Sequence, residues 1–414
     1  MTNDKGDGSP YRIEYCSGHP MNFCFIPWID WDFYLHSRPH QLVKEALRRG
    51  HRVLYLSPGW RSTKKGGNLE IWHPLSNPIF GITRKVLRGE FSSRTSAGSS
   101  EKLTPMRGLL YRPYEEKNRW AFASKFISDF LTRKKLRAFR DPKDGNVVIF
   151  EQPFPLVYHI PYLKALGYHI IYDMIDDWSA YKDAPKYFSQ TEPYPLKMAD
   201  IIIATSKHLY QKALQFNKNT YLCPNAADIE HFAKSREACE RPGDLPESRP
   251  RIGFFGIIRE WFDVELLRYT ALQRPKFEFC LIGGYSEDIF KQLKDLRNVH
   301  FLGQKDYTVL PRYLYYFDVT IIPFKVNELI LSTNPIKVYE YLAGGKPVVA
   351  TDIPEIGGMP YVYVSKSLEA FVENLDQAIK ATPDHREIDA FLVNHTWAKR
   401  FDVIEKAIAK LSRS

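Results

Sequence analysis

The stretch 331–355, LSTNPIKVYEYLAGGKPVVATDIPE, constrains the fold more than any other part of the chain. It encodes a loop, a helix, a turn and a strand in direct succession. Ser332, Thr333 and Asn334 are helix-capping types, and Pro335 suits a first helical turn, where its missing N–H costs nothing. Ile336, Val338, Tyr339, Leu342 and Ala343 then form a helical apolar stripe that Gly344-Gly345 ends. After Pro347 the run Val348-Val349-Ala350 is short and wholly apolar, as in a strand covered on both faces. A helix start of this kind offers free backbone N–H groups and the positive end of a dipole, where a phosphate can sit. Lys337 lies in that first turn, and Glu340 stands one turn further along the same side. A cation near phosphates and a carboxylate for two vicinal hydroxyls would hold a nucleotide sugar. A surface ion pair at i, i+3 fits the same spacing, and spacing alone leaves both readings open.

The same alternation of short apolar runs and helical patterns extends along the chain. A strand at 22–27 (NFCFIP) leads into a loop of aromatic and charged residues, then a helix carrying Leu42, Val43, Ala46 and Leu47, then the strand 52–56. This is a parallel-sheet unit, whose loops line a crevice at the carboxyl ends of the strands. Asp30 in that loop, with Arg38 and Gln41 at the helix start, are candidates for binding an acceptor. His40 reads as a polar helix-start residue. Strands at 146–150 and 169–172 follow, the second running into Asp173-Met174-Ile175-Asp176-Asp177-Trp178-Ser179. Carboxylates just beyond a parallel strand stand at the mouth of the sheet, so Asp176 and Asp177 are candidate catalytic groups; an Asp capping the next turn fits equally.

The segment 235–250 is charged and holds Pro242, Pro246 and Pro250, which reads as an inter-domain linker. A second set of strands follows at 251–256, 278–282, 299–303 and 319–323, with Gly256 and Arg259 as candidates facing a donor phosphate. The expected division is a first domain at 1–234, the linker 235–250, a second domain at 251–395 and a terminal amphipathic helix within 396–414. The fold class expected is α/β, two doubly wound Rossmann-like domains facing a central cleft.

Composition narrows the possible partners. The chain has 414 residues, 44% hydrophobic, enough for two cores. No apolar run reaches the length of a membrane span, and the N-terminal MTNDKGDGSP lacks a signal-peptide core. Five cysteines, none in a Cys-x-x-Cys pair, give neither a disulfide framework nor a zinc site, and a reducing cytoplasm fits best. The net charge of +10 is concentrated in 84–140, where fifteen Lys/Arg face five Asp/Glu. That basic stretch and the apolar, basic segment 79–87 suggest peripheral contact with an anionic membrane surface on its inner face. No nucleic-acid module accompanies the charge, so a nucleic-acid partner is not expected. The run 92–100 (SSRTSAGSS) is low-complexity, and 119–139 has the apolar spacing of an amphipathic helix.

NPIKVYEYLAGGKPVVATDIPE resembles the donor-binding segment of GT-B glycosyltransferases that use nucleotide sugars. In the large retaining family 4 this segment is a Glu-x7-Glu motif; Glu340 matches the second Glu, which binds ribose, and Ser332 stands where the first would be. A Lys three residues before Glu340 resembles the bacterial polysaccharide glycosyltransferases, including the inverting xanthan glucuronosyltransferase. YDMIDDWS is similar to the segment carrying the catalytic Asp of that enzyme, with Asp176 at the matching position. Gly256 and its loop resemble the glycine loop facing the donor diphosphate. The resemblance implies a glycosyltransferase acting on a glycan or lipid-linked acceptor in cell-surface or extracellular polysaccharide synthesis. It implies inversion with Asp176 as base, with Gly256, Arg259, Ser332, Thr333, Asn334, Lys337 and Glu340 at the donor, and no metal or other cofactor. The last helix would cross back to the first domain. A retaining transferase on the same scaffold stays open, as does a GT-B subunit that binds glycan or membrane without turnover.

Overall fold

The computed structural model describes residues 20–33, 35–57, 64–66, 68–72, 130–142, 145–153, 156–181 and 187–411. The leading segment to residue 19, the segments 79–87 and 92–100, most of the basic stretch and the first part of the 119–139 helix lie outside the described residues.

The first sheet contains β1 (Asn22–Ile26), β2 (Arg52–Leu56), β3 (Lys64–Gly66), β4 (Leu69–Trp72), β5 (Asn146–Phe150), β6 (Tyr168–Met174), β7 (Ile201–Ala204) and β8 (Thr220–Leu222). Its order is β3-β4-β2-β1-β5-β6-β7-β8, parallel throughout except for β3 against β4 at one edge. The central strands are apolar at nearly every position because both faces are covered. Their alternation divides the side chains between two cores. Cys24, Leu54, Val148, Ile170 and Ile202 face one; Phe23, Phe25, Val53, Ile149, Ile171 and Ile203 face the other. Helix α1 (Arg38–Arg48) follows β1 and lays Leu42, Val43 and Ala46 into the second of these.

The second sheet contains β9 (Arg251–Phe255), β10 (Glu278–Ile282), β11 (Val299–Gly303), β12 (Val319–Ile322), β13 (Val348–Thr351) and β14 (Val362–Ser365), ordered β11-β10-β9-β12-β13-β14 and all parallel. The boundary between domains differs from the charge-and-proline reading. Ala227, then Ile229 and Phe232 of helix α2 (Ile229–Ala233), and Leu245 all pack into the second core. The charges of 235–250 do not solvate a free linker; many are tied to the second domain. Arg236 pairs with Asp389 at 2.8 Å, Asp244 with Lys305 at 2.6 Å, and Arg251 Nε donates to the Pro246 carbonyl at 2.8 Å.

Helix α3 (Ile336–Ala343) precedes β13, and helix α4 (Trp397–Leu411) ends the described chain. Trp397, Phe401, Ile404, Ala407 and Ile408 of α4 pack with Phe23, Phe25 and Val43 in the first domain. Arg49, just past α1, holds it by donating to Asp402 and to the Ala398 carbonyl, both at 2.9 Å, and by pairing with Glu405. The chain therefore crosses between domains twice, and the two crossings run side by side. Ala227 and Thr396 form a parallel bridge, and Arg400 Nε donates to the Asn225 carbonyl at 3.1 Å. Among the described residues no helix is long and apolar enough to cross a membrane.

Candidate active site

Strand order reverses between β1 and β5 in the first sheet and between β9 and β12 in the second. Ligands of open parallel sheets bind beyond the carboxyl ends of the strands at such points. Both points face one cleft between the domains, with a cavity of about 310 Å³.

On the second domain's side the cavity is built by the start of α3 and the loop after β9. Pro335, with φ −68° and ψ 120°, is the residue that opens the helix. The hydroxyls expected to cap it serve the preceding turn: Ser332 and Thr333 donate to the Leu329 carbonyl at 2.8 and 2.7 Å. Ser332 is fully buried and does not line the cavity, whereas Thr333 and Asn334 do. Asn334 is tied to the crossing strand by a reciprocal pair, its Oδ1 accepting from Asn225 N at 2.9 Å and its carbonyl from Asn225 Nδ2 at 2.6 Å. Val338 N donates to the Pro335 carbonyl at 3.4 Å, while the N–H groups of Ile336 and Lys337, residues that line the cavity, have no partner within the helix.

Lys337 lies across Gly256. A Cβ built on residue 256 would stand 2.2 Å from Lys337 Cε and 2.7 Å from Nζ, and the backbone there has φ +148°, so only glycine seats the lysine in this way. The ammonium stands 5.6 and 5.8 Å from the rings of Phe254 and Phe324. Glu340, one turn on, is buried at the cavity wall. Lys337 and Glu340 come no closer than 4.0 Å, and neither head group has a hydrogen-bond or ion-pair partner among the described residues. The i, i+3 surface pair that the spacing allowed is therefore not what forms. Burial pushes the Glu340 carboxyl up to about 8, with Lys337 opposing, and lowers the Lys337 ammonium, with Glu340 opposing. Two unpartnered ionisable groups in one apolar wall are costly unless a ligand satisfies them. Arg259 is not among the lining residues; its carbonyl closes a turn by accepting from Phe262 N at 2.9 Å.

On the first domain's side Asp176 lines the cavity just past β6. Tyr181 donates its hydroxyl to Asp176 Oδ2 at 2.8 Å, and Thr333, from the other domain, approaches Oδ1 at 3.4 Å. Burial pushes the Asp176 carboxyl up to about 6, against the two hydrogen bonds. Asp177 has a different environment. It caps the next turn through Ser179 N and Oγ, at 3.2 and 2.6 Å, and pairs with Lys212 at 3.0 Å. Its carboxyl is held low by these partners, and it does not line the cavity. Arg38 does line it, but its Nε is committed to buried Asp173 at 2.7 Å. Gln41 donates to the Tyr307 hydroxyl at 3.2 Å, linking the domains, and Asp30 accepts from Ser57 Oγ at 2.8 Å; neither lines the cavity.

Sequence reasoning passed over several lining residues. Tyr307, stacked between His36 and His231 with centroids 4.4 Å from each, carried no motif. Asn225, in the segment 224–228 (PNAAD), bridges the domains through Asn334, and no local pattern signals that contact. Trp28, Trp178, Tyr181 and Trp261 were scattered aromatics until the fold gathered them.

The two facing domains, the paired switch points and the lysine-glutamate helix define a GT-B fold bearing a nucleotide-sugar type of cleft. Residues 249–381 match the family model for "Glycosyl transferases group 1", so the second half of the chain carries a group 1 glycosyltransferase domain. A curated relative is TuaH of Bacillus subtilis (strain 168), named as a teichuronic acid biosynthesis glycosyltransferase, 29% identical over 214 residues. That alignment covers 47% of this chain and 53% of the relative, so the chain spans about half the length of the curated protein it matches. Among solved structures, sucrose-phosphate synthase from Thermosynechococcus elongatus superposes with a TM-score of 0.66 at 13% identity, covering 95% of this chain and 99% of that one. A trehalose-6-phosphate structure from E. coli with bound UDP-2-fluoro glucose gives 0.62 at 13% identity, covering 94% and 98%. At such identities the likeness establishes the fold.

Proposed function

We infer that this protein transfers a sugar from a nucleoside-diphosphate sugar to a hydroxyl of a glycan or lipid-linked acceptor, with inversion, in the synthesis of a bacterial surface or extracellular polysaccharide. The observation that carries the reading is the pair Lys337 and Glu340, both unpartnered, both facing the cleft, at the head of a helix whose Ile336 and Lys337 N–H groups have no partner within it. Glu340 takes the ribose hydroxyls and Lys337 the diphosphate. Each ligand group supplies the partner that its side chain lacks, so donor binding relieves the cost of burying both.

Asp176 removes the proton from the acceptor hydroxyl as that oxygen attacks the anomeric carbon. The bond from the anomeric carbon to the β-phosphate oxygen breaks, and the electron pair leaves with the nucleoside diphosphate. The charge gathering on that phosphate is met by Lys337 and the first N–H groups of α3, groups already fixed in position. A carboxyl raised to about 6 is well matched to this work near neutral pH, being ionised yet more basic than an exposed aspartate. The polysaccharide assignment draws support from the teichuronic acid protein among the relatives.

The test is a thermal-shift and calorimetric screen against UDP, GDP, dTDP and their common sugars, since a ligand bound only by the folded state raises the melting temperature. One nucleotide should stand out, with its effect lost in Lys337→Met and Glu340→Gln. If every nucleotide leaves the wild type unmoved, the donor assignment fails. Proton NMR of the first product formed separates inversion from retention on the same scaffold.

A further inference from the structure

The carboxylate of Asp176 is held from both sides of the cleft. Its Oδ2 accepts from Tyr181 of its own domain at 2.8 Å, and its Oδ1 faces the Thr333 hydroxyl of the second domain at 3.4 Å. The resemblance places Thr333 at the donor, but its hydrogen bonds lead elsewhere. A threonine hydroxyl has one proton, and two acceptors compete for this one: Asp176 Oδ1 and the Leu329 carbonyl at 2.7 Å. The carbonyl does not depend on Thr333. It also accepts from Ser332 Oγ at 2.8 Å and from Ser332 N at 3.2 Å, so three donors meet two lone pairs. A turn of the Thr333 hydroxyl toward Asp176 therefore leaves no buried carbonyl without a partner. An ionised acceptor forms the stronger hydrogen bond, so the Asp176 carboxylate draws that proton.

Ion pairs do not do this work. Among the described residues neither Arg38 nor Lys337, which line the same cavity, forms an ion pair with Asp176. The His36 imidazole, also in the cavity wall, is pushed down to about 4, chiefly by burial, and is neutral at pH 7. The Asp177 charge opposes ionisation of Asp176, and Lys212 is committed to Asp177 and Glu192. Tyr181 and Thr333 are the two groups whose hydrogen bonds favour the carboxylate. Thr333 also stands two residues before Pro335, which opens α3, and beside Asn334, whose side chain and carbonyl are tied to Asn225. The segment that sets the lysine helix thus sets the hydroxyl too, and widening the cleft would carry it away from Asp176.

Resting on the reading of Asp176 as the base, we propose that Thr333 is a positioning residue for the reaction and not a donor contact, its hydroxyl reaching across the cleft to orient and stabilise the Asp176 carboxylate. The base is then complete only where the two domains meet, with one oxygen held by each.

The experiment follows the carboxyl carbon resonance of Asp176 by NMR through a pH titration of the full chain labelled at aspartate, the signal being assigned by its loss in Asp176→Asn. The wild-type signal should titrate near 6. Thr333→Val keeps the shape of the side chain and removes the hydroxyl. It should move the midpoint upward by about 0.5–1 pH unit, the net share of one hydrogen bond, and the acid limb of the pH–rate profile should follow. Affinity for whichever of UDP, GDP or dTDP binds the wild type should be unchanged. Thr333→Ser, which keeps the hydroxyl, should titrate with the wild type and guards against a general disturbance of the fold. The proposal is overturned if the Thr333→Val midpoint stays put or falls, or if Thr333→Ser moves as far as Thr333→Val. A loss of nucleotide affinity in Thr333→Val also overturns it and returns the residue to the donor site. Full turnover by Asp176→Asn would instead remove the base reading on which the proposal stands.

Discussion

Gly256→Ala is expected to damage the site through a side chain in another part of the sequence. The added methyl would stand 2.2 Å from Lys337 Cε, whereas carbon atoms rest about 3.5–4 Å apart. The end of the lysine must therefore retreat by roughly 1.5 Å, carrying its ammonium out of the phosphate position. A hydrogen bond to a charged group is worth about 1.5–3 kcal/mol, so nucleotide affinity should fall about 10- to 150-fold, a factor of ten for each ~1.4 kcal/mol. The positive φ adds about 1–3 kcal/mol of backbone strain, visible as a lower melting temperature, but the fold should survive because a flexible side chain is what yields. The assay is titration calorimetry with the bound nucleotide on wild type, Gly256→Ala, Lys337→Met and the double variant. If glycine acts only by seating the lysine, the double variant should bind within about twofold of Lys337→Met alone. Fully additive losses would refute the reasoning and assign Gly256 a contact of its own with the phosphate.

Three further outcomes follow from the same geometry. Asp176→Asn should reduce turnover about 10²- to 10⁴-fold with nucleotide affinity intact, and the wild-type rate should decline as pH falls below about 6, where Asp176 gains its proton; a variant keeping most of its turnover would remove Asp176 as the base. Tyr181→Phe deletes a hydrogen bond that favours the carboxylate, so the acid limb of the pH–rate profile should move upward from about 6; a limb that stays put or moves down contradicts this. Folded Glu340 keeps its proton to about pH 8 against 4.5 for an ordinary glutamate, so the folded chain binds the extra proton and the unliganded protein should lose stability as pH rises between those values. Glu340→Gln should flatten that slope and raise the melting temperature at pH 8 while abolishing the nucleotide-induced shift, and parallel slopes for the two proteins would count against it.

Much of the architecture was legible because it depends on local pattern. Apolar runs such as NVVIF and IIIA can only be strands covered on both faces, and NPIKVYEYLAGG carries its own start, stripe and stop. That Lys337 and Glu340 share one side of a helix followed from spacing, since two residues three apart on one helix must do so. The rest depended on distance in sequence. The seat of Lys337 on Gly256 spans 81 positions (337 − 256), and no local pattern signals it. Asp176 and Asp177 are neighbours with different fates because one ends beside Tyr181 in the cleft and the other beside Lys212. The 235–250 segment misled for a related reason: charge and proline mark exposure, and exposure is common both to linkers and to segments pinned along a domain surface by ion pairs.

The paired crossings have a mechanical meaning. Two strands bridged side by side at Ala227 and Thr396 behave like a strap hinge. Such a strap resists twisting and sliding, because either would shear the bridge between its strands, while bending across its width leaves that bridge intact. Asn225, seated in the strap, grips Asn334 at the head of α3 and also accepts from Arg38 of α1 at 3.3 Å. Asn225 is therefore one contact held in common by the head of the lysine helix, by α1 opposite and by the strap itself, so a change of angle between the domains would strain all three together.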